Sequence, residues 1–229
     1  MNRILVVDDD RDIVAALEIY LTTSGYQVSK AYNGREALEV LRDNAVDLVL
    51  MDVMMPQMDG IAATKKIRET SNVPILFLTA KSEDVDMING LNVGADDYIT
   101  KPFKPMEVLA RVKSHLRRYT QLGGQVKEQG NLLTVGPICL DDGAKRVTVD
   151  GEPVSLTPLE YSILRLLMKN PGQVFSTGQI YEQVWNDPVL GSENTVAVHI
   201  RHLREKIEID PAHPRYLKVV WGLGYKMEK

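Results

Sequence analysis

Five residues in the first half of this chain carry side chains that could act together on a phosphoryl group: Asp8, Asp9, Asp52, Thr79 and Lys101. Three carboxylates gathered in one place repel and would be forced partly to protonate unless a cation shares the site. A hard divalent ion resolves the repulsion. Magnesium takes oxygen ligands and keeps several waters, which suits Asp9 and Asp52 with a nearby backbone carbonyl, while Asp8 can act through a water. With the metal and the Lys101 ammonium neutralising charge, a carboxylate oxygen of Asp52 can attack phosphorus in line and form an aspartyl phosphate. Thr79 is then placed to donate a hydrogen bond to the new phosphate. The plainer alternative is that Asp8 and Asp52 only cap helices, because Asp is favoured at helix starts and turns.

That alternative loses ground once the elements carrying these residues are read. Ile4–Val7, Asp47–Met51 and Pro74–Leu78 are short apolar runs, each followed by a polar turn and an amphipathic stretch. Weaker strands fit at Tyr26–Lys30 and Tyr98–Thr100, and helices at Asp12–Thr23, Gly34–Asp43, Gly60–Glu69, Asp84–Val93 and Pro105–Arg118. Repeated βα units with right-handed crossovers predict an α/β fold, a doubly wound five-stranded parallel sheet with helices on both faces. In such sheets ligands bind beyond the carboxyl ends of the strands. Asp8 and Asp9 follow the first run, Asp52 the third, Thr79 the fourth and Lys101 the fifth, so all five residues fall at one edge.

The helical periodicity stops after Arg118, and the Gly- and Gln-rich stretch that follows reads as a linker. The expected organisation is a first domain over 1–119, a linker over 120–131 and a second domain over 132–229. In the second domain, strands are expected near Leu132–Leu140 and Arg146–Val149. Helices follow near Pro158–Lys169, Thr177–Val184 and Glu193–Glu208, and a hairpin near Tyr216–Met227.

Composition adds exclusions. The chain has 229 residues and a formal net charge of −4, and acids outnumber bases in both halves. Neither half is basic enough to announce nucleic-acid binding by composition, so that function must rest on local placement. The opening apolar run is too short for a signal peptide, and no run approaches the ~18 residues needed to span a membrane. A cytosolic location without membrane attachment is therefore expected. The single cysteine, Cys139, excludes an internal disulfide and a cysteine zinc site, and its apolar neighbours suggest a small buried side chain.

Three segments of the first domain, Val6-Val7-Asp8-Asp9-Asp10, Leu50-Met51-Asp52-Val53-Met54-Met55-Pro56 and Gly94 to Phe103 (GADDYITKPF), resemble receiver domains over its whole length. The resemblance implies that a sensor histidine kinase supplies the phosphoryl group and that Asp52 accepts it. It also implies that Asp8, Asp9 and Asp52 hold Mg2+ with the Met54 carbonyl, and that Lys101 precedes a cis peptide to Pro102. Thr79 and Tyr98 would be the switch pair. Physically, phosphate can draw Thr79 inward and let Tyr98 turn into the vacated space; the plainer reading of Tyr98 is a half-buried strand aromatic.

In the second domain, Val196, Ile200, Leu203 and Ile207 recur at helical spacing and predict one buried stripe. The opposite face then carries Thr195, Val198, Arg201, His202 and Glu205, flanked by His199, Arg204 and Lys206, a mostly basic surface able to enter a major groove. Taken alone this is an ordinary solvated amphipathic helix. Context argues further: Thr157, Pro158 and Glu160 form a helix-opening signal, and a Gly222/Gly224 hairpin follows the basic helix. Together they make a winged helix-turn-helix, an α+β domain. The LTPLEY stretch, the TVAVHIRHLREKI helix and the terminal VVWGLGYK resemble the effector domain of OmpR/PhoB-type response regulators. That resemblance implies dimeric binding to tandem promoter half-sites, with Trp185–Asn194 available to RNA polymerase. Thr195, Val198, His199, Arg201, His202 and Arg204 would contact DNA. Trp221 stands where the family often has a wing arginine, which leaves minor-groove reading at that place open against simple packing of the hairpin. Family-type charged pairs would place Asp96, Asp97, Glu107, Arg111 and Arg118 in a homodimer interface, with Asn89 replacing the usual basic partner. Lys101–Arg118 and the chain ending resemble most the vancomycin-resistance VanR type, which implies control of cell-wall genes.

The reading is thus a phosphorylation-gated transcription regulator, not an enzyme. Two other classes compete. A nucleophilic Asp with magnesium also suits a phosphatase of small phosphoesters, although the sequence offers no inserted lid or pocket beside Asp52. A constitutive DNA-binding protein with the first domain as a dimerisation module is the other, opposed by the complete acidic, hydroxyl and lysine set.

Overall fold

The computed structural model describes residues 1–80, 93–123, 132–185 and 193–228. The chain divides into two compact units, Met1–Tyr119 and Thr120–Lys229. Among the described residues, no helix is long and apolar enough to cross a membrane.

The first unit contains β1 (Arg3–Val7), α1 (Arg11–Thr23), β2 (Gln27–Ala31), α2 (Gly34–Asp43), β3 (Leu48–Asp52), α3 (Gly60–Arg68), β4 (Ile75–Ala80), β5 (Asp97–Lys101) and α4 (Pro105–Gly123). The strands form one parallel sheet in the order β2-β1-β3-β4-β5. Ile4, Val6, Leu48, Leu50, Leu76 and Leu78 join a core with Val14 and Leu17 of α1 and Val108 and Val112 of α4. The alternating residues Leu5, Val7, Val49, Met51, Ile75 and Phe77 are equally buried. Both faces of the sheet are therefore covered, which is why its strands read as continuous apolar runs. Short polar residues start the helices: Asp10 accepts from Asp12 and Ile13 N–H, Asn33 from Arg35 and Glu36, and Asp59 from Ala62. Such caps stabilise by ~1 kcal/mol each and fix where each βα turn ends. The predicted helix at Asp84–Val93 falls, apart from Val93, outside the described residues, as does Asn89. The last helix runs past Arg118 to Gly123, so the helical pattern continues into the stretch read as linker.

The second unit opens with a four-stranded antiparallel meander, β6 (Leu132–Val135), β7 (Ile138–Asp141), β8 (Arg146–Val149) and β9 (Glu152–Val154). The single strand expected over Leu132–Leu140 is in fact two, split at Gly136, whose φ of 56° turns the chain. Three helices follow, α5 (Pro158–Lys169), α6 (Thr177–Trp185) and α7 (Glu193–Ile207), then the hairpin β10 (Leu217–Val220) and β11 (Gly224–Met227). Thr157 and Glu160 form the expected capping box at α5, with Pro158 inside the first turn. Leu159, Ile163, Tyr181, Trp185, Val196, Ile200, Leu203 and Ile207 belong to one core. Cys139 is half-buried rather than buried, with Thr134 Oγ1 at 4.0 Å. Side chains alternate along a strand, and since Ile138 and Leu140 fill the core, Cys139 must face the other way.

Candidate functional site

The carboxyl edge of the first sheet brings together Asp8, Asp9 and Asp52. One oxygen from each lies within 4.8 Å of the others, Asp8 and Asp52 being buried and Asp9 exposed. Asp52 is the last residue of β3 and Asp8 directly follows β1, and these strands are hydrogen-bonded neighbours. Lys101, the last residue of β5, reaches across the edge, and its Nζ donates to Asp8 Oδ2 and Asp52 Oδ1, each at 2.7 Å. The other oxygen of Asp8 accepts the Asp10 N–H at 3.0 Å. Asp10 itself is taken up by capping α1.

Electrostatics at this edge are strained in a usable way. Burial is the largest influence on Asp52 and raises its pKa; Asp8 and Asp9 push the same way, and the Lys101 ammonium only partly offsets them. Burial pulls Lys101 down, but its bonds to Asp52 and Asp8 outweigh this and leave its pKa raised. An all-oxygen donor set with excess negative charge, held in part by one ammonium, fits a hard divalent cation. Thr79 lies on β4, one step beyond the Leu78 paired with Asp52, and is buried. Tyr98 on β5 is half-buried. The Lys101–Pro102 peptide is cis. Met54 is an exposed side chain just past Asp52.

Most of the charged residues expected at a dimer interface are engaged within the unit. Asp96 is 1% exposed, binding Arg68 at 2.8 Å and the Ile75 N–H at 2.9 Å. Asp97 is fully buried and takes Arg111 at 2.8 Å, His115 at 3.2 Å and the Tyr98 N–H at 2.9 Å. Their charges are satisfied within the unit, so Asp96, Asp97 and Arg111 do not present a charged outer face here. Glu107 remains partly exposed, 3.6 Å from Arg111. The Arg118 side chain lies outside the described residues. Sequence reading also missed Arg68, which donates to the carbonyls of Gly94, Ser71 and Val73 besides Asp96, because nothing in its local pattern distinguishes it from Lys65 and Lys66.

The residues expected on a DNA-facing side of α7 differ in exposure. Of the six residues expected there, Arg201 is exposed and Arg204 half-buried, whereas Thr195, Val198, His199 and His202 are buried. The helix packs against two others, so its buried arc is wider than one stripe. The His199 ring lies 5.7 Å from that of Trp185 and 6.3 Å from that of His202. Buried Glu160 of α5 accepts from Lys206 at 2.6 Å, with His202 Nδ1 at 3.9 Å. Arg204 donates to the Leu217 carbonyl at 3.0 Å, and burial lowers its pKa. Trp221 does not pack the hairpin: it is 89% exposed at the turn between β10 and β11, beside exposed Leu223. The loop proposed for RNA polymerase lies, apart from Trp185 and the start of α7, outside the described residues.

A doubly wound domain with a carboxylate and lysine cluster at its strand ends, joined to a winged-helix domain, defines a class of signal-responsive regulators. Comparison with known proteins agrees. The response regulator receiver domain family matches residues 4–113, and the family described as transcriptional regulatory protein, C terminal, matches 151–227. The chain is 42% identical to regulatory protein VanR of Enterococcus faecium, over 100% of this chain and 99% of that one. It is 43% identical to the DNA-binding response regulator MtrA of Mycolicibacterium smegmatis, over 98% of this chain and 96% of that one. The solved structure of DrrB, an OmpR/PhoB homologue from Thermotoga maritima, aligns over 100% of both chains at a TM-score of 0.51 and 35% identity. This chain belongs to the OmpR/PhoB family of two-component response regulators, and is a transcription regulator with a receiver and a DNA-binding domain.

Proposed function

We propose that Asp52 is the phosphoacceptor and that its phosphorylation controls promoter binding. The observation that carries this reading is the convergence of Asp8, Asp9 and Asp52 with the Lys101 ammonium bridging two of them. Asp8, Asp9, Asp52 and the Met54 carbonyl would hold Mg2+, which supplies neutralisation of charge on the phosphoryl oxygens. An Asp52 oxygen forms the new bond to phosphorus as the bond from phosphorus to the kinase histidine breaks, and the departing imidazole takes up a proton from solvent. Lys101 keeps its proton and pairs with the phosphate, and the Thr79 hydroxyl donates to it. Tyr98 follows by turning inward, which alters the surface around β5.

Dimerisation through that surface is part of the proposal. It requires Asp97 and Arg111 to exchange their mutual bond for partners on a second copy, leaving Glu107 as the group offered at once. On DNA, Arg201 leads the contact of α7, and Thr195, Val198, His199 and His202 reach the groove only if their side chains turn outward. The dimer would occupy tandem half-sites in the cytosol and engage RNA polymerase through the loop before α7. We place its action with VanR-type control of cell-wall genes, and as regulation rather than phosphoester turnover.

Selection of random duplexes before and after treatment with acetyl phosphate and Mg2+ tests this. Repeat-containing sites that appear on treatment and vanish in Asp52→Ala are expected. Equal binding in all samples would leave a constitutive DNA-binding protein, and catalytic hydrolysis of a generic phosphoester above background would restore the phosphatase alternative.

A further inference from the structure

The loop that follows Asp52 is held at both ends by backbone contacts that leave no room for a side chain. Gly60, the first residue of α3, donates its N–H to the Val53 carbonyl at 2.9 Å. A Cβ on Gly60 would collide with the Asp52 carbonyl oxygen and stand 3.1 Å from that carbonyl carbon and 3.0 Å from Met51 Cγ. At the other side, Gly34 opens α2 and donates to the Met58 carbonyl at 3.0 Å. A Cβ there would lie 2.8 Å from that oxygen, 2.8 Å from Met58 Cγ and 2.9 Å from Ala63 Cβ. Neither glycine has a positive φ. Close approach, not backbone freedom, is what these positions demand. Between the two contacts the loop is further shaped by Gln57 at φ 65° and by the Met58 N–H donating to the Pro56 carbonyl at 2.8 Å.

We infer that Gly34 and Gly60 are positioning residues for the phosphoacceptor site. By letting α2 and α3 close onto the loop, they fix the Met54 carbonyl relative to the Asp52 carboxylate and so set the affinity for the divalent cation. The inference rests on the aspartyl-phosphate reading above. An Ala at Gly60 must push the Asp52 backbone or α3 aside by on the order of 1 Å, whereas a functional constellation holds its geometry to ~0.5 Å. Groups that orient metal ligands from behind typically change affinity by ~10–100-fold when disturbed.

The test titrates Mn2+ into the full-length protein, reading bound metal by electron paramagnetic resonance, and records melting in EDTA for the same samples. Gly60→Ala is expected to weaken Mn2+ binding by ~10-fold or more, and Gly34→Ala to weaken it in the same direction. Gly25→Ala supplies the control: Gly25 has φ +89° and open space around it, so Ala there strains the same domain away from the site. It should melt lower yet bind Mn2+ as the wild type does. If Gly60→Ala does not fold, Gly34→Ala decides. Folded Gly34→Ala and Gly60→Ala proteins with wild-type Mn2+ affinity would overturn the inference and reduce both glycines to packing. A wild-type protein that binds no Mn2+ would overturn the aspartyl-phosphate reading itself, and the inference with it.

Discussion

Replacing Asp97 by Asn should destabilise the receiver unit selectively, by an amount that the buried cluster allows to be worked out. Burial alone would raise the Asp97 pKa, but the Arg111 guanidinium and the His115 hydrogen bond outweigh it and hold the carboxyl at about 2 instead of 3.8. A depressed carboxyl contributes stability that is fully present above the unfolded value and is lost as pH falls from about 4 through 2. The difference is roughly 2 kcal/mol at neutral pH. Asn leaves Arg111 buried without its counter-charge, which can bring the loss to about 3–5 kcal/mol. The assay is urea unfolding of the full-length chain followed by far-ultraviolet circular dichroism and by tryptophan fluorescence. Both tryptophans, Trp185 and Trp221, lie in the second unit, so fluorescence reports that unit and dichroism reports both. The dichroism transition without a fluorescence counterpart should move at pH 7, the fluorescence transition should stay, and the gap from wild type should narrow towards about pH 3. A receiver transition that does not move at pH 7, or a gap that is unchanged in acid, would show that the Asp97 charge does not stabilise the unit.

Three further outcomes follow from the same geometry. Asp52→Asn should raise the melting temperature in EDTA at neutral pH, because burial, Asp8 and Asp9 hold the Asp52 carboxyl above its ordinary pKa. A raised carboxyl destabilises the fold once ionised, so the gain should fade as pH falls through the raised folded value and be gone below the unfolded one; a lower melting temperature at pH 7 would show that the Lys101 contact dominates. Arg201→Ala should weaken DNA binding and flatten its salt dependence with little change in melting, whereas His199→Ala, which empties a place beside Trp185, should cost roughly 1–3 kcal/mol of second-unit stability. The opposite assignment of the two effects would show that the buried face of α7 is the reading face. Trp221→Ala should change stability by less than about 0.5 kcal/mol, since the ring is 89% exposed. Thermal melting checks this, and a large loss would mean that the ring packs after all.

What the sequence made legible depended on how each residue is used. Ile4–Val7 and Leu48–Met51 announced central strands because both sheet faces are covered, which leaves no polar alternation to mislead. From those strands, Asp8, Asp52 and Lys101 could be placed at one edge without coordinates. Gly136 hid a turn inside an apparently continuous strand, and β9, only Glu152–Val154, was too short to leave a periodic signal. The polar side of α7 misled because a histidine against a tryptophan ring looks, in sequence, like a histidine facing solvent. The family resemblance assigns Asp96, Asp97 and Arg111 to an interface, but only packing shows that each also has a partner inside the unit. Gly34 and Gly60 carry no local mark at all, since their role lies in how closely the backbone of Asp52 and Met58 approaches them.

Incubating the protein with acetyl phosphate and Mg2+ and measuring its intact mass, with Asp52→Ala alongside, decides whether Asp52 accepts a phosphoryl group. The wild-type protein should gain one acid-stable, base-labile phosphoryl group, lost when EDTA replaces Mg2+, and the variant none. A phosphoryl group of the same lability on Asp52→Ala, or none on the wild type under any divalent cation, would contradict that role for Asp52.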